Sequence, residues 1–155
     1  MIQKPKLIEG GLFTDHRGEM CFVNDFKVDE TIRFYTIKHP DISVIRAWQG
    51  HQFEQKYFFP LSGSFLIAWV TIDDFENPSN DLQANYTILN ANSPAVLHIP
   101  NGHANGLKAL TANAMVGVFS DFDLQESIRE KHRYAPDKWF NWHRDFNNLT
   151  INTIY

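Results

Sequence analysis

Short apolar segments alternate with turn residues along most of this chain, and this pattern constrains the fold more than any other feature. The segments are rich in β-branched and aromatic residues, and Pro, Gly, Asp, Asn or Ser residues separate them, as is typical of strands and turns. The predicted strands cover residues 33–37, 42–48, 56–60, 65–72, 84–89, 95–99, 106–110 and 115–120. Because strands recur roughly every ten residues, we expect an all-β sandwich or barrel.

The length of 155 residues predicts one domain with one sizeable core. The barrel should occupy about residues 11–120, with the polar stretch 73–83 as a loop between strands. A helical signal appears only after residue 120. There, Asp123 can cap a helix and Glu126 follows three residues later, as in a capping box, ahead of residues 128–134. We therefore expect a short helix and a tail over about residues 121–155.

The composition excludes several classes of function. The chain is 43% hydrophobic and contains 13 Phe, 5 Tyr and 4 Trp, so it is not a disordered protein. Its net charge is −4, without the basic clusters that nucleic-acid binding needs. No segment has the roughly 20 apolar residues of a membrane helix, and the first ten residues lack a signal-peptide pattern. The single cysteine, Cys21, cannot form an intramolecular disulfide, which fits a reducing compartment. From these observations together we expect a cytoplasmic protein without a nucleic-acid or membrane partner.

Two polar clusters interrupt the apolar pattern, at residues 46–56 and 100–106. The first lies at the junction of two predicted strands and the second opens another strand. Residues two apart on a strand share a face, so Gln49 should lie beside His51, and His103 beside Asn105. Because ligands commonly bind in the mouths of barrels, we expect these two clusters to form the rim of a pocket.

Both clusters resemble the two motifs of the cupins, G-x5-H-x-H-x3,4-E-x6-G and G-x5-P-x-G-x2-H-x3-N. Gly63 matches the last glycine of the first motif, and residues 100–102 match the P-x-G of the second. The resemblance implies a jelly-roll β-barrel. The family's metal-ligand positions fall on Gln49, His51, Lys56 and Asn105. Because only His51 is a good ligand and Lys56 would repel a cation, we predict no metal and no other cofactor.

Further motifs are similar to those of the sugar-nucleotide branch of the cupins, the dTDP-4-dehydrorhamnose 3,5-epimerases and the WxcM-like dTDP-4-keto-6-deoxyglucose 3,4-ketoisomerases. Residues 13–18 resemble F-x-D-x-R-G of the epimerases, and residues 33–37 resemble R-V-Y-Y-I of the isomerases. Residues 46–51 resemble R-G-L-H-F-Q and R-G-F-H-A-H of the two groups, and residues 99–106 resemble I-P-x-G-F-A-H-G. The resemblance implies an enzyme of surface-polysaccharide biosynthesis that removes a proton beside the ketone of a dTDP-linked 4-keto-6-deoxy hexose.

The departures from these motifs bear on the mechanism. The family's catalytic histidine falls on Gln49, the second histidine of the epimerases falls on Asn105, and their tyrosine acid falls near Val118 or Phe119. The second histidine of the isomerases falls on His51, and their first tyrosine falls on Tyr35. These positions favour an isomerase-like or single-centre reaction over a two-centre 3,5-epimerisation.

Removal of a proton beside a ketone requires a base whose pKa lies near the working pH and a cation or donor for the enolate oxygen. His51 suits the role of the base. Lys56, on the facing strand, would stabilise the enolate oxygen or a phosphate, and Tyr35 or His103 would return a proton. We therefore predict a metal-independent isomerase with His51, Lys56 and Tyr35 as its catalytic residues.

The residues predicted to bind substrate are mostly cationic, amide-bearing or aromatic. Arg17 and Arg46 would clamp the diphosphate, because a guanidinium meets phosphate oxygens with paired donors. Aromatic side chains would stack on the sugar or the base. The full predicted set is Arg17, Arg46, Trp48, Gln49, Gln55, Phe65, His103 and Asn105.

Two other functions remain open at this stage. A non-catalytic cupin that binds a sugar nucleotide or carbohydrate would explain the loss of histidine at Gln49. A metal-dependent cupin, such as a small oxygenase, is disfavoured by Lys56 and Asn105. The resemblance also implies a homodimer in which Arg17 would serve the neighbouring subunit's pocket. The nucleotide, the sugar and the carbon that loses its proton stay open.

Overall fold

The computed structural model describes residues 1–130 and 132–155, which form two five-stranded sheets and a separate two-stranded hairpin. In chain order the elements are β1 (Lys6–Glu9), β2 (Gly11–Asp15), β3 (Gly18–Phe22), β4 (Arg33–Lys38), β5 (Ile45–His51), β6 (Lys56–Ser62), β7 (Ser64–Thr71), β8 (Ala84–Asn90), β9 (Ala95–Ile99), β10 (His103–Ala109), β11 (Met115–Ser120), α1 (Leu124–Arg129) and β12 (His132–Arg133). The first sheet has the order β1-β9-β6-β11-β4 and the second has the order β12-β5-β10-β7-β8, with every pairing antiparallel. The predicted all-β architecture with a short C-terminal helix is confirmed.

Strand β7 explains why the two sheets close over a common core. Its residues are buried on both faces from Ser64 to Val70, so it reads as a continuous apolar run and not as an alternating one. Phe65, Ile67 and Trp69 belong to the core between the sheets. Leu66 and its same-face neighbours belong to a second core on the outer face of the second sheet.

The chain after β12 covers that outer face. Trp142 and Phe146 pack into the second core, and the backbone of Tyr155 exchanges two hydrogen bonds with that of Tyr86, at 2.9 and 3.0 Å. The tail therefore pairs with the edge strand β8, which would otherwise present unpaired backbone groups. Among the described residues, no helix is long and apolar enough to cross a bilayer.

The N-terminal segment contains strands that the sequence did not predict. β1 pairs with β9 over Lys6 to Glu9, so the first sheet begins before residue 11. β2 and β3 form their own hairpin. Their outward faces expose Phe13 and Met20, so neither strand shows the alternation of a half-buried strand.

The other differences concern the ends of elements. β5 begins at Ile45, three residues later than predicted, because the Asp41 carboxylate accepts a hydrogen bond from the Ser43 backbone amide at 2.7 Å and holds a turn there. The capping box of Asp123 and Glu126 is confirmed, but the helix ends at Arg129. The chain then forms β12, which pairs with β5.

Candidate functional site

A cavity of about 500 Å³ lies between the two sheets, and we call it the central cavity. Strands β4 and β6 of the first sheet and β5 and β10 of the second supply most of its wall. The lining residues are Arg33, Tyr35, Thr36, Ile37, Ile45, Arg46, Ala47, Trp48, Gln49, Lys56, Phe58, Asn105, Leu107, Ser127, Arg133 and Tyr134. Its volume falls in the range of small-molecule sites in proteins.

The wall of the central cavity is rich in cations. Arg33 and Lys56 lie on the first sheet, Arg46 on β5 and Arg133 on β12. The guanidinium of Arg33 lies over the ring of Tyr35, 5.0 Å from its centroid, and Lys56 Nζ lies 5.9 Å from the same centroid. Several positive charges in one enclosed space favour an anionic ligand, because field lines concentrate in a cleft with low-dielectric walls.

Glu54 is the buried anion that pairs with two of these cations, Arg33 and Lys56. It is fully buried, and its Oε1 lies 3.3 Å from Arg33 Nη2 and 3.7 Å from Lys56 Nζ. The hydroxyls of Ser120 and Ser127 donate to its two carboxylate oxygens, at 2.6 and 3.0 Å. Burial raises the pKa of Glu54, but the neighbouring His51, Lys56 and Ser120 outweigh burial and lower it to about 2.

Burial changes the pKa of both Lys56 and Tyr35, which lie side by side on the wall. Burial, together with the charges of Arg33 and Arg133, lowers the pKa of Lys56 to about 8 despite the opposing effect of Glu54. Burial likewise raises the pKa of Tyr35 to about 12, so its phenol keeps its proton at neutral pH. Lys56 can therefore exchange a proton near neutrality, whereas Tyr35 can only donate one.

Two amides face each other across the second sheet. Asn105 on β10 is paired in register with Gln49 on β5, and both line the central cavity. The Nδ2 atom of Asn105 is buried and has no hydrogen-bond partner among the described residues. A buried donor without a partner is costly, so this amide is ready to bind an acceptor on a ligand.

His51 and His103 share a face with these amides, as predicted, but do not line the central cavity. His51 is 2% exposed, and its Nδ1 lies 3.0 Å from Glu54 Oε2 and 3.6 Å from Glu130 Oε2. His103 Nδ1 lies 3.0 Å from the Pro100 carbonyl oxygen and 3.3 Å from that of Asn101. Burial lowers the pKa of His103. Both imidazoles are thus enclosed at the end of the second sheet beside the cavity.

Besides His103, four more residues of the predicted binding set lie away from the ligand space or turn away from it. Trp48 borders the cavity, but its ring packs on Trp142 in the second core, 5.3 Å between centroids, because it alternates with Gln49 along β5. Phe65 is fully buried in the core between the sheets. Gln55 lies outside the wall, with its Oε1 2.8 Å from His98 Nε2. Arg17 is exposed on the hairpin and paired with Asp15.

The structure also adds residues that the sequence did not single out for the site. Arg33 precedes Tyr35 by two positions on β4, so the period of a strand could have placed both on one face. Glu54 lies within the polar cluster at residues 46–56, and its place in that cluster was the sequence signal for it. Arg133 and Tyr134 reach the cavity only because β12 pairs with β5, which no local pattern indicates.

Three of the described side chains are of types that bind metal ions and lie close together. His51, Glu54 and Glu130 place ligand atoms within 4.8 Å of one another. However, Glu54 already accepts hydrogen bonds from Arg33, Ser120 and Ser127, and Glu130 accepts from the backbone amides of Phe53 and Glu54. A cation placed there would compete with Arg33 and Lys56 for the same carboxylate, so these residues do not fit a metal.

The fold is shared with solved structures of nucleotide-sugar enzymes. A dTDP sugar isomerase from Desulfovibrio desulfuricans superposes with a TM-score of 0.73 at 16% identity, over 96% of this chain and 97% of that one. A TDP-quinovose 3,4-ketoisomerase from Campylobacter jejuni gives 0.58 at 20% identity, over 81% and 92%. A dTDP-4-dehydrorhamnose 3,5-epimerase from Bacillus anthracis gives 0.63 at 22% identity, over 79% and 75%.

No protein-family model matches the sequence, and no curated protein sequence matches it either. The fold and the cavity between its sheets define a double-sheet β-barrel of the cupin type. The three solved structures above are a dTDP-sugar isomerase, a 3,4-ketoisomerase and a 3,5-epimerase, the group that the sequence motifs resemble. The expected resemblance is therefore confirmed in the fold.

Proposed function

We propose that this protein is a sugar-nucleotide epimerase or isomerase that acts on a dTDP-linked 4-keto-6-deoxy hexose by removing a proton beside the ketone. The observation that carries this proposal is the composition of the central cavity. Buried Lys56 and half-buried Tyr35 share one wall with the cations Arg33, Arg46 and Arg133. The fold of the dTDP-sugar isomerases supports the same function.

The cavity residues divide into two kinds of group that such a reaction needs. Guanidinium groups bind phosphate oxygens with paired donors, so Arg33, Arg46 and Arg133 are suited to the diphosphate of a nucleotide sugar. A proton-exchanging amine and a phenol that keeps its proton are suited to the keto sugar. The amides of Gln49 and Asn105 would orient the sugar by hydrogen bonds. The reaction needs no metal and no cofactor in this proposal.

Assembly and location belong to the same proposal. The hairpin and the outer face of the first sheet expose large apolar side chains, including Phe13, Met20 and Phe34, which are 53%, 60% and 53% exposed. Their burial in a homodimer would remove this apolar surface from water. In such a dimer the exposed Arg17 would reach the neighbouring subunit's cavity. The exposed thiol of Cys21 supports a reducing compartment such as the cytoplasm, where the proposed role in surface-polysaccharide synthesis would begin.

A second candidate is a non-catalytic cupin that binds a sugar nucleotide. The observation that favours it is the pair of amides at Gln49 and Asn105, since an amide cannot take a proton from carbon. This candidate keeps the cationic wall for the diphosphate and assigns no proton transfer to Lys56.

Proton NMR of dTDP-4-keto-6-deoxyglucose in deuterated water distinguishes the two candidates. The enzyme should erase the signal of the proton at sugar carbon 3 or carbon 5, because the abstracted proton is replaced by deuterium. The product's couplings then separate epimerisation from ketoisomerisation. Ligand-induced line broadening without exchange would instead establish the binding protein and refute the enzyme. Lys38→Arg, on the exposed side of β4, is the matched control and should behave as the unaltered protein.

A further inference from the structure

We infer that Lys56, and not His51, is the base that takes the proton from the sugar carbon. This inference rests on the proposed function and changes the role that the sequence suggested for Lys56, from stabilising the enolate to accepting the proton. Of the described side chains on the cavity wall, Lys56 is the one that carries an amine, which accepts a proton when it is neutral.

Lys56 has access to the ligand space. Lys56 begins β6, and its side chain, 5% exposed, lies on the wall of the central cavity. Its Nζ lies beside the ring of Tyr35 and opposite the amides that β5 and β10 contribute. A sugar ring in the cavity would therefore meet an amine from the first sheet and amides from the second.

His51 is confined away from the central cavity. Its Nδ1 is held between Glu54 and Glu130, and its Nε2 is enclosed without a hydrogen-bond partner among the described residues. Glu130 itself is fixed by two backbone amides, from Phe53 and Glu54. This arrangement orients Glu54, and Glu54 in turn orients Lys56. His51 is thus a positioning residue that acts through Glu54.

The charges around Lys56 favour its neutral form. The charged and titratable groups around the ammonium of Lys56 are Glu54, Glu130, Arg33, Arg133 and Tyr35. Burial and the two arginines disfavour the charged amine more than the two glutamates favour it, so the pKa falls to about 8. A general base works best when its pKa lies near the working pH, and Lys56 meets that condition.

The step balances without any further reactant. The neutral amine of Lys56 takes the proton from the carbon beside the ketone and becomes an ammonium. The electron pair of the broken C–H bond forms the C=C bond of the enolate, and the ketone oxygen gains the negative charge. The unpartnered Nδ2 of Asn105 can donate a hydrogen bond to that oxygen. Return of the proton, or of a deuteron that the ammonium has taken from the solvent, to the same carbon restores the ketone and regenerates the neutral amine.

Deuterium exchange into the keto sugar tests the inference when it is measured for matched variants. Lys56→Arg keeps the positive charge but cannot become neutral, so the exchange rate should fall by about 10² to 10⁴, the usual contribution of a general base. The exchange rate of Lys56→Ala should fall by a similar factor. It should recover when methylamine or ethylamine is added, because a free amine can occupy the vacated space. His51→Gln should lose less than about tenfold, below the contribution of a general base. Lys38→Arg is the control for a lysine outside the cavity.

The pH dependence provides a second measurement. The exchange rate should rise with pH with a midpoint near 8 and level off at higher pH, because only the neutral form of Lys56 accepts a proton. A rate that does not rise across pH 8 would contradict this role of Lys56. Circular dichroism and calorimetric binding of TDP show whether each variant is folded with an intact anion site.

The outcomes separate the two proposals. If the unaltered protein binds TDP-sugar but exchanges no proton, the proposed enzymatic function fails and the role of Lys56 fails with it. If the unaltered protein exchanges the proton and folded Lys56→Arg keeps that rate, the function stands and the inference is refuted. Loss of exchange in folded His51→Gln to the level of Lys56→Ala, without amine rescue of Lys56→Ala, would also refute it.

Discussion

Glu54 should be the carboxylate on which this barrel depends most, and Glu54→Gln tests that expectation. Its pKa is lowered from 4.5 to about 2 because His51, Lys56 and Ser120 outweigh the effect of burial. A group with a depressed pKa stabilises the folded state above its unfolded pKa, and that stabilisation is lost as the pH falls through the folded value. At about 1.4 kcal/mol per pKa unit, the shift corresponds to roughly 3 kcal/mol at pH 7.

The assay is urea unfolding of the unaltered protein and of Glu54→Gln at several pH values between 7 and 3. At pH 7 the variant should be less stable by roughly 3 kcal/mol, because Arg33 and Lys56 lose their buried counter-charge. Below pH 4.5 the difference in unfolding free energy between the two proteins should narrow, to about half at pH 3. The reason is that the stabilisation by the ionised carboxylate is lost progressively between the unfolded pKa of 4.5 and the folded pKa of about 2.

Glu9→Gln is the matched control, because Glu9 is exposed on β1. Its substitution should change stability by no more than about 0.5 kcal/mol at any of these pH values. Equal stability of Glu54→Gln and the unaltered protein at pH 7 would contradict the role of this carboxylate. A difference that stays constant down to pH 3 would show that the loss comes from packing and not from charge.

Two further predictions concern the wall and the cover of the site. Arg133→Gln should weaken TDP binding in calorimetry by about tenfold or more, because a hydrogen bond to a charged group contributes about 1.5–3 kcal/mol. The loss of affinity should shrink at high salt, and unchanged affinity would place the phosphates elsewhere. Gly50→Ala should destabilise the fold by about 1–3 kcal/mol in thermal unfolding, because the added Cβ would lie 2.9 Å from His132 Cβ and 3.0 Å from Tyr134 Cε2. Full stability of this variant would show that β12 can move aside.

Local patterns in the sequence were sufficient for most of the fold. Alternation of apolar segments and turn residues placed the strands from β4 to β11, and the capping box of Asp123 and Glu126 placed the helix start. The pattern missed β2 and β3, since their exposed side chains show no alternation. It also missed the end of the helix and β12, because the pairing of β12 with β5 is a contact between distant segments.

The residues of the site also fall into those that local sequence patterns predicted and those that only tertiary contacts bring in. The sequence by itself predicted that the polar clusters at 46–56 and 100–106 would form the rim of one pocket, because residues two apart on a strand share a face and ligands commonly bind in the mouths of barrels. It did not place Gln49, His51 and Lys56 within reach of one another, because strand register is not a local property. Only the tertiary structure decided which neighbours complete that place. Trp48 turns outward under the tail, Arg133 arrives from beyond the helix, and a buried carboxylate network encloses His51. Residue type and strand period are short-range properties, whereas burial and the pairing of charges depend on which distant strands the closed sheets bring together.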